Sequence, residues 1–411
     1  MSDAKTCSVT EKIVQPLELS GKSEMFNVRH FSLIFLLLMP GVSTRFMSLI
    51  PIAAFLLLTT MRGSIRVRMV IVPVGILALS LLFAMFREIS GVSSVSIRDL
   101  TEVIRLLALL CTFALVMGST EGQFARRLLL AVLLADFILS LSQLKILPGG
   151  IASALSRFYQ SDYHFENALG ISKRALGLFT DPTTHGLAMG LVALLFFSDT
   201  INKKGRGSTV GLVISLSLVV LAQSQTAFIA TVIGMFTFFL VHFVSGPKLR
   251  AVIILAVLFG GAIVLLVHFA ERLRYLVLLF QVGLKRNSFQ RRVLKSEDSL
   301  DLMHDEPIGM LLGWGKNYLG STSAALDNEY LFVYLVYGLP GVFLFLALLL
   351  AILVYAILTK QHVLLAATMF GVIAAYPASF FTNLKTFTIY CIVISATIAT
   401  NKVPVLLARL R

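Results

Sequence analysis

The sequence predicts an all-α, polytopic integral membrane protein, and three observations lead to this fold class. Hydrophobic residues make up 57% of the 411 residues, only 14% are charged, and the mean hydropathy is +0.89. A soluble domain does not need so much apolar material. The apolar residues form long runs, and about 20 such residues span a bilayer as a helix. The alternation with a period of two that a transmembrane β-barrel requires does not occur.

Twelve apolar runs follow one another along the chain and predict about twelve transmembrane helices. The predicted spans are 30–43, 46–61, 69–86, 100–118, 126–146, 185–198, 208–222, 226–245, 250–270, 330–358, 363–380 and 386–400. The tenth span is long and contains Gly338-Leu339-Pro340-Gly341. A kink is expected there, because proline removes a backbone donor from a helix.

These spans divide the chain into a polar tail, residues 1–29, and a single transmembrane domain, residues 30–411. The tail lacks the basic start and apolar core of a cleaved signal peptide. Cys7, Cys111 and Cys391 are far apart, so neither a disulfide framework nor a cysteine metal site is expected.

Lysine and arginine collect in short cytoplasmic loops of membrane proteins and therefore predict orientation. With the N-terminus inside, the inner loops and termini hold Lys5, Lys12, Lys22, Arg29, Arg62, Arg66, Arg68, Arg126, Arg127, Lys203, Lys204, Arg206, Lys248, Arg250, Lys360, Lys402, Arg409 and Arg411. The short outer loops hold only Arg45, Arg87, Arg98 and Lys385. Both termini are therefore expected to be cytoplasmic, and two long loops, 147–184 and 271–329, to lie outside. The net charge of +14 is then largely an orientation signal that requires no nucleic-acid partner.

The first long outer loop ends in KRALGLFTDPTTHG, residues 173–186. One interpretation is structural: the loop re-enters the membrane, and Asp181 caps the next helix ahead of Pro182. That interpretation leaves Arg174 and His185 at the membrane edge unexplained. Ionisable residues at such a position are candidates for a functional site.

The second long outer loop contains KRNSFQRRVLK, residues 285–295, with five cations and no acidic residue. Such a loop can be a solvated basic face or a contact with lipid headgroups. It can also bind a phosphate-bearing ligand, because arginine offers a planar fork that matches phosphate oxygens. An acidic stretch, 301–306, follows, but we predict no metal site there.

The same loop ends in Asp327-Asn328-Glu329-Tyr330, directly before the tenth span. One of these residues can cap the helix. Three polar residues in a row exceed what a cap requires, so we expect this element to bind a ligand or take part in catalysis. The chain has no phosphate-binding loop of the ATPase type, so ATP hydrolysis is not indicated.

Two segments together resemble the bacterial O-antigen polymerase and ligase superfamily. The first is R-x-x-G-x-F-x-D-P, residues 174–182. The second is P-x-G…G-x-G…[HD]-N-x-Y-L, residues 307–331. The span count, the large penultimate outer loop and the cytoplasmic termini are also similar. The resemblance implies a GT-C-like enzyme of the bacterial inner membrane whose two long loops face the periplasm.

The activity that the resemblance implies is polymerisation of oligosaccharide repeat units carried on undecaprenyl pyrophosphate. Donor and acceptor would both be lipid-linked glycans within the bilayer, and a chain-length regulator would be a further partner. The product would be O-antigen, capsule or exopolysaccharide. Transfer is expected to invert the anomeric centre and to need neither metal nor cofactor.

The resemblance also assigns roles to residues at matching positions. Arg174, with Arg291 or Arg292, would bind the lipid pyrophosphate. Asp327 would be the catalytic base, with Asn328 beside it. Gln225 stands where many members have arginine, so it could donate only neutral hydrogen bonds to a phosphate. The residues expected to support the site are Asp181, His185, Gln225 and Tyr330.

Two alternatives stay open at this point. An O-antigen ligase would transfer finished glycan to lipid A–core, but ligases have histidine where this chain has Asp327. A flippase of lipid-linked oligosaccharide would place charges along a path through the bundle. The charges expected inside the membrane are few: Arg105, Lys145 and Asp136.

Overall fold

The computed structural model describes residues 30–38, 44–61, 67–94, 96–117, 122–146, 173–202, 204–244, 249–268, 307–316 and 328–398, with single residues at 169, 273, 277, 281, 290, 294 and 297. Within these ranges the regular secondary structure is helical, without a strand. Asp327, Arg291 and Arg292 lie outside the described residues, as do the tail and the acidic stretch 301–306.

Helices follow the apolar pattern of the sequence closely. We number them α1 (which includes 30–38), α2 (Thr44–Met61), α3 (Val67–Ile89), α4 (Ile97–Met117), α5 (Gly122–Gln143), α6 (Pro182–Ile201), α7 (Arg206–Ala222), α8 (Gln225–Val244), α9 (Leu249–His268), α10 (Pro307–Leu312), α11 (Glu329–Leu358), α12 (His362–Ala375) and α13 (Leu384–Ile398). Every predicted span overlaps one of these helices; the short α10 was not predicted.

Three of the described helices are long and apolar enough to cross a membrane: α6, α8 and α11. Others, including α7, α12 and α13, are apolar but shorter. The chain is thus a helical membrane protein, whereas the count of twelve crossings stays a prediction.

The eleventh predicted span, 363–380, extends too far, because α12 ends at Ala375. Pro377 has no N–H with which to continue the helical ladder. The next amides, those of residues 380–382, donate to a side chain of α11 instead. Residues 376–383 are therefore a connection between α12 and α13.

Helix α6 lies at the centre of the bundle. It packs against α7, α8, α12 and α13, and every one of its residues except Thr183 is buried. A helix that is apolar on all sides is stable only where neighbours surround it. By contrast, the second half of α11 exposes large apolar side chains such as Phe343 and Leu344, as expected of a face in contact with lipid.

Helix α11 is kinked where the sequence predicts it. Gly338 has φ 66° and ψ −166°, which interrupts the helix. Pro340 cannot donate to the carbonyl of Val336 four residues earlier. Arg87 at the end of α3 takes this role, since its Nη1 donates to that carbonyl at 2.9 Å. The kink is therefore stabilised by a side chain from another helix.

The G-x-G element of the second motif packs directly on this kink. The amide of Trp314 donates to the carbonyl of Leu335 at 2.7 Å. A Cβ on Gly313 would lie 2.6 Å from the backbone nitrogen of Gly338, so only glycine allows this approach. The motif glycines thus let the segment after α10 lie against α11.

Candidate functional site

The two motif segments lie at the same end of the helix bundle. This end contains the last turn of α3 and the first turn of α4, which are joined by Arg87 and Asp99 at 3.5 Å. It also contains the C-termini of α5 and α7 and the N-termini of α6, α8, α11 and α13, as the contacts below establish. These are the segments that the charge pattern predicts to be outside. Which side of the membrane this end faces stays a prediction.

The loop 173–181 lies beside the C-terminal part of α5. The amide of Leu178 donates to Asp136 Oδ1 at 2.7 Å, and the amide of Leu176 donates to Gln143 Oε1 at 3.0 Å. Asp136 and Gln143 are seven residues apart, which is about 10 Å along a helix. The loop therefore reaches two turns into the bundle, as the re-entrant interpretation predicts.

Gly177 is required at the turn of this loop. Its φ is 53°, and a Cβ there would overlap the carboxylate of Asp136. Its N–H donates to Gln143 Oε1 at 2.8 Å, and its carbonyl accepts from Gln143 Nε2 at 3.1 Å. The glycine of the R-x-x-G-x-F-x-D-P motif thus has a structural explanation.

His185 lies fully buried behind the loop. Its Nδ1 donates to the carbonyl of Ala175 at 3.1 Å, because a carbonyl can only accept. Its Nε2 lies 2.6 Å from Asp136 Oδ2, and that contact holds one further proton. The two side chains therefore form a buried hydrogen-bonded pair. With 0% exposure, His185 supports the loop and is not accessible to a substrate.

Asp181 caps α6. Its Oδ1 accepts from the amides of Thr183 and Thr184, both at 2.9 Å, and its Oδ2 accepts from the hydroxyl of Thr184 at 2.6 Å. A cap of this kind satisfies amides that have no intrahelical partner. The carboxylate of Asp181 is thus engaged in fixing the start of α6.

Arg174 is half-buried at the rim of this region, where the loop contacts the turn between α7 and α8. Its Nε donates to the carbonyl of Ala222 at 3.1 Å. Gln223 takes the left-handed conformation with φ 47° and donates from Nε2 to the carbonyl of Lys173 at 3.2 Å. Gln225, half-buried, begins α8 directly after this turn. Arg174 and Gln225 therefore lie at the same turn, and their predicted roles at a phosphate stay predictions.

Lys385 in the first turn of α13 is a residue of this region whose role the sequence does not reveal. It is buried, and its Nζ donates to the carbonyl of Leu178 at 2.7 Å. The ammonium also lies 5.3 Å from the centre of the Phe179 ring. Lys385 thus joins the first motif to α13.

The second motif meets the same part of the chain through Glu329. This side chain has 0% exposure and accepts from the amides of Phe380 at 3.0 Å, Phe381 at 2.9 Å and Thr382 at 2.5 Å. These amides precede α13 by a few residues. Both motifs are therefore attached to the segment 380–385, one through Glu329 and the other through Lys385.

Asn328 and Tyr330 are placed by the same helix start. Asn328 caps α11, with Oδ1 accepting from the amide of Leu331 at 3.1 Å. The hydroxyl of Tyr330 donates to the carbonyl of Val372 in α12 at 2.8 Å. Both side chains thus have structural contacts, and their predicted roles in the reaction stay predictions.

The opposite end of the bundle has a separate ion cluster. Asp199 near the end of α6 is 1% exposed and contacts Arg126 Nε at 2.5 Å and Lys204 Nζ at 3.2 Å. These cations belong to loops predicted to be cytoplasmic. Among the described residues, no three histidine, cysteine or acidic side chains are placed to hold a metal ion.

The fold and this region define a class: a helical membrane protein with a polar junction, built from two sequence motifs, at one end. Residues 210–346 match the family model described as O-Antigen ligase. The match confirms the resemblance to the O-antigen ligase and polymerase superfamily. Members of this family are glycosyltransferase-like enzymes that act on lipid-linked glycans in membranes. No curated protein and no solved structure matches the chain.

Proposed function

We propose that this protein polymerises oligosaccharide repeat units carried on undecaprenyl pyrophosphate at the periplasmic face of the inner membrane. The observation that supports this most directly is that the two motifs meet at 380–385. Lys385 contacts the Arg174 loop, and Glu329, two residues after Asp327 in the chain, contacts the segment just before it. A cation for a leaving pyrophosphate and a base for a sugar hydroxyl would therefore lie on neighbouring elements.

The chemistry is a displacement at an anomeric carbon. The acceptor hydroxyl forms the new glycosidic bond, its proton passes to Asp327, and the bond to the lipid pyrophosphate breaks. Negative charge builds on the leaving pyrophosphate, so fixed cations such as Arg174 and the arginines at 291 and 292 stabilise the transition state. Asp327 in place of histidine favours a polymerase over a ligase.

Rigid support of Arg174 suits this role. The backbone of its loop is fixed by Asp136, Gln143 and Lys385. Interactions that are preorganised before the reaction cost no reorganisation when charge develops. The buried contacts of the first motif support the proposed role of Arg174, because they hold its loop in place.

The test uses purified full-length protein in detergent with a synthetic repeat unit on undecaprenyl pyrophosphate, a chelator and no ATP. The wild type is expected to give a ladder of products on a gel. Arg174→Ala is expected to lower the rate by about 10²–10³, and Asp327→Ala by about 10²–10⁴. Arg98→Ala and Glu88→Ala remove exposed charges from the same end of the bundle and serve as matched controls.

Three results would contradict the proposal. Full polymerising activity in a well-folded Asp327→Ala variant would show that Asp327 is not the catalytic base. Transfer of a single finished glycan to lipid A–core without a ladder would indicate a ligase. Movement of the intact lipid across liposomes without any transfer would indicate a flippase.

A further inference from the structure

A second group of charged residues lies beside the start of α11, on α4, α11 and the G-x-G element. Its centre is Glu102 in α4, which is 2% exposed. Glu102 Oε1 accepts from Arg105 Nη2 and from the hydroxyl of Tyr337, the latter at 2.8 Å. Glu102 Oε2 accepts from Lys316 Nζ at 2.6 Å. Two cations thus share one carboxylate, and Glu329 is a second carboxylate that acts on Arg105.

Both cations have hydrogen-bonding capacity left over. A guanidinium has five N–H donors and an ammonium has three. Among the described residues, Arg105 bonds to Glu102 and Tyr337, and the ammonium of Lys316 donates to Glu102. Arg105 Nε is buried and has no hydrogen-bond partner among these residues. A ligand would therefore bind through the other nitrogens of the guanidinium and through the ammonium. The side chains of Arg105 and Lys316 are 22% and 31% exposed, so a ligand can reach them.

The cations are held next to the motif that bears Asp327. Arg105 Cζ lies 5.0 Å and Lys316 Nζ 5.8 Å from the centre of the Phe332 ring. The amide of Phe332 bonds to the carbonyl of Asn328, so the ring is one helical turn from that residue. The backbone of Lys316 is itself fixed, because its amide donates to Asp99 at 2.9 Å.

We infer that Arg105 and Lys316 bind the pyrophosphate of the lipid-linked donor, as a second pair of cations beside the reacting carbon. This inference rests on the proposed function for the identity of the ligand. The donor pyrophosphate is attached to the carbon that reacts, so its oxygens must lie close to the base, whereas the acceptor pyrophosphate is a whole repeat unit away. Arginine and lysine both bind phosphate, arginine through its planar fork.

Arg105 and Lys316 would also supply a positive charge that the chain lacks at Gln225. The chain has Gln225 where many members have arginine, and a neutral amide cannot balance a pyrophosphate charge. Arg105 lies outside the segment matched by the family model, residues 210–346. The missing positive charge is thus supplied by the N-terminal part of the chain and by the residue after the G-x-G element.

Direct binding of undecaprenyl pyrophosphate without glycan tests the inference independently of catalysis. Full-length protein in detergent is titrated with undecaprenyl pyrophosphate, and separately with undecaprenol, which has the same tail and no charge. Arg105→Met and Lys316→Met are each expected to weaken pyrophosphate binding about 10- to 100-fold, the effect of one charge-assisted hydrogen bond. Binding of undecaprenol should stay unchanged. Arg98→Met, an exposed arginine in the first turn of α4, is the matched control.

Glu102→Gln separates a binding site from an ion pair that only stabilises the fold. It removes the carboxylate that competes for both cations, so pyrophosphate binding is expected to tighten. Weaker binding in Glu102→Gln, in parallel with Arg105→Met, would overturn the inference, as would equal losses for undecaprenol. Phosphatidylglycerol that displaces the pyrophosphate lipid at similar concentration would assign the site to ordinary headgroups instead. Should the wild type make no product ladder while these binding changes occur, the polymerase proposal fails and the anion site stands.

Discussion

At the residue scale, the polar residues at the start of α11 have different structural roles. Asn328 caps the helix, Glu329 binds three amides of the connection between α12 and α13, and Tyr330 binds the carbonyl of Val372. Three of the four polar residues therefore have a structural contact. The role of Asp327 in the reaction stays a prediction.

Glu329→Ala is expected to destabilise the protein strongly. It leaves three amides without their acceptor, and each unpaired buried group costs about 1–3 kcal/mol. Glu329→Gln keeps one oxygen acceptor and should lie between the alanine variant and the wild type. The measurement is the thermal denaturation midpoint in detergent, with Glu88→Ala as the exposed-carboxylate control. A wild-type midpoint for Glu329→Ala would mean that these hydrogen bonds contribute nothing to stability.

At the element scale, two irregular segments position the candidate site: the loop 173–181 and the kink of α11. Neither is stabilised by its own backbone alone. The loop depends on side chains of α5 and α13, and the kink depends on Arg87 and on the G-x-G element. Irregular backbone inside a membrane protein is tolerated only where protein groups satisfy its hydrogen bonds.

Gly338→Ala tests the kink. The substitution forces a residue with a Cβ into a positive φ and places that Cβ 2.6 Å from the nitrogen of Gly313. We expect a lower denaturation midpoint and lower activity, because α11 must shift relative to the G-x-G element. Gly260→Ala in α9 is the control, since nothing lies within 4 Å of its Cβ. That variant should be neutral or more stable by up to about 1 kcal/mol, the difference in helix propensity. Equal behaviour of the two variants would refute this account of the kink.

The helices, the cap at Asp181 and the kink at Gly338 could be predicted because each depends on a local pattern: an apolar run, a residue type before a proline, or a glycine and a proline close together. The contacts that join distant segments at the site could not be predicted in this way. Lys316 and Glu102 are 214 residues apart in the chain, and Lys385 and Leu178 are 207 apart. No local pattern specifies such pairs. From the sequence, Lys385 is expected in an outer loop and Arg105 within a span, and neither position predicts these contacts.

At the scale of the whole molecule, the described residues divide into two polar ends. One end holds both motifs and the Arg105–Lys316 pair. The other holds Asp199 with Arg126 and Lys204. The catalytic proposal requires the first end to face the periplasm, where lipid-linked repeat units are expected to be joined. The distribution of lysine and arginine predicts this orientation.

Cysteine labelling can determine the orientation. Each cysteine is introduced into the Cys7→Ser variant, because the two other cysteines, Cys111 and Cys391, are buried at 5% and 1% exposure. Arg98→Cys places a thiol on an exposed position of the end with the motifs, and Gln123→Cys places one on an exposed position at the start of α5, near Arg126. A maleimide that cannot cross the inner membrane is added to spheroplasts. Arg98→Cys should be labelled at once, and Gln123→Cys only after the membrane is permeabilised. The reverse order would place the motifs on the cytoplasmic side, where a periplasmic polymerase could not use them.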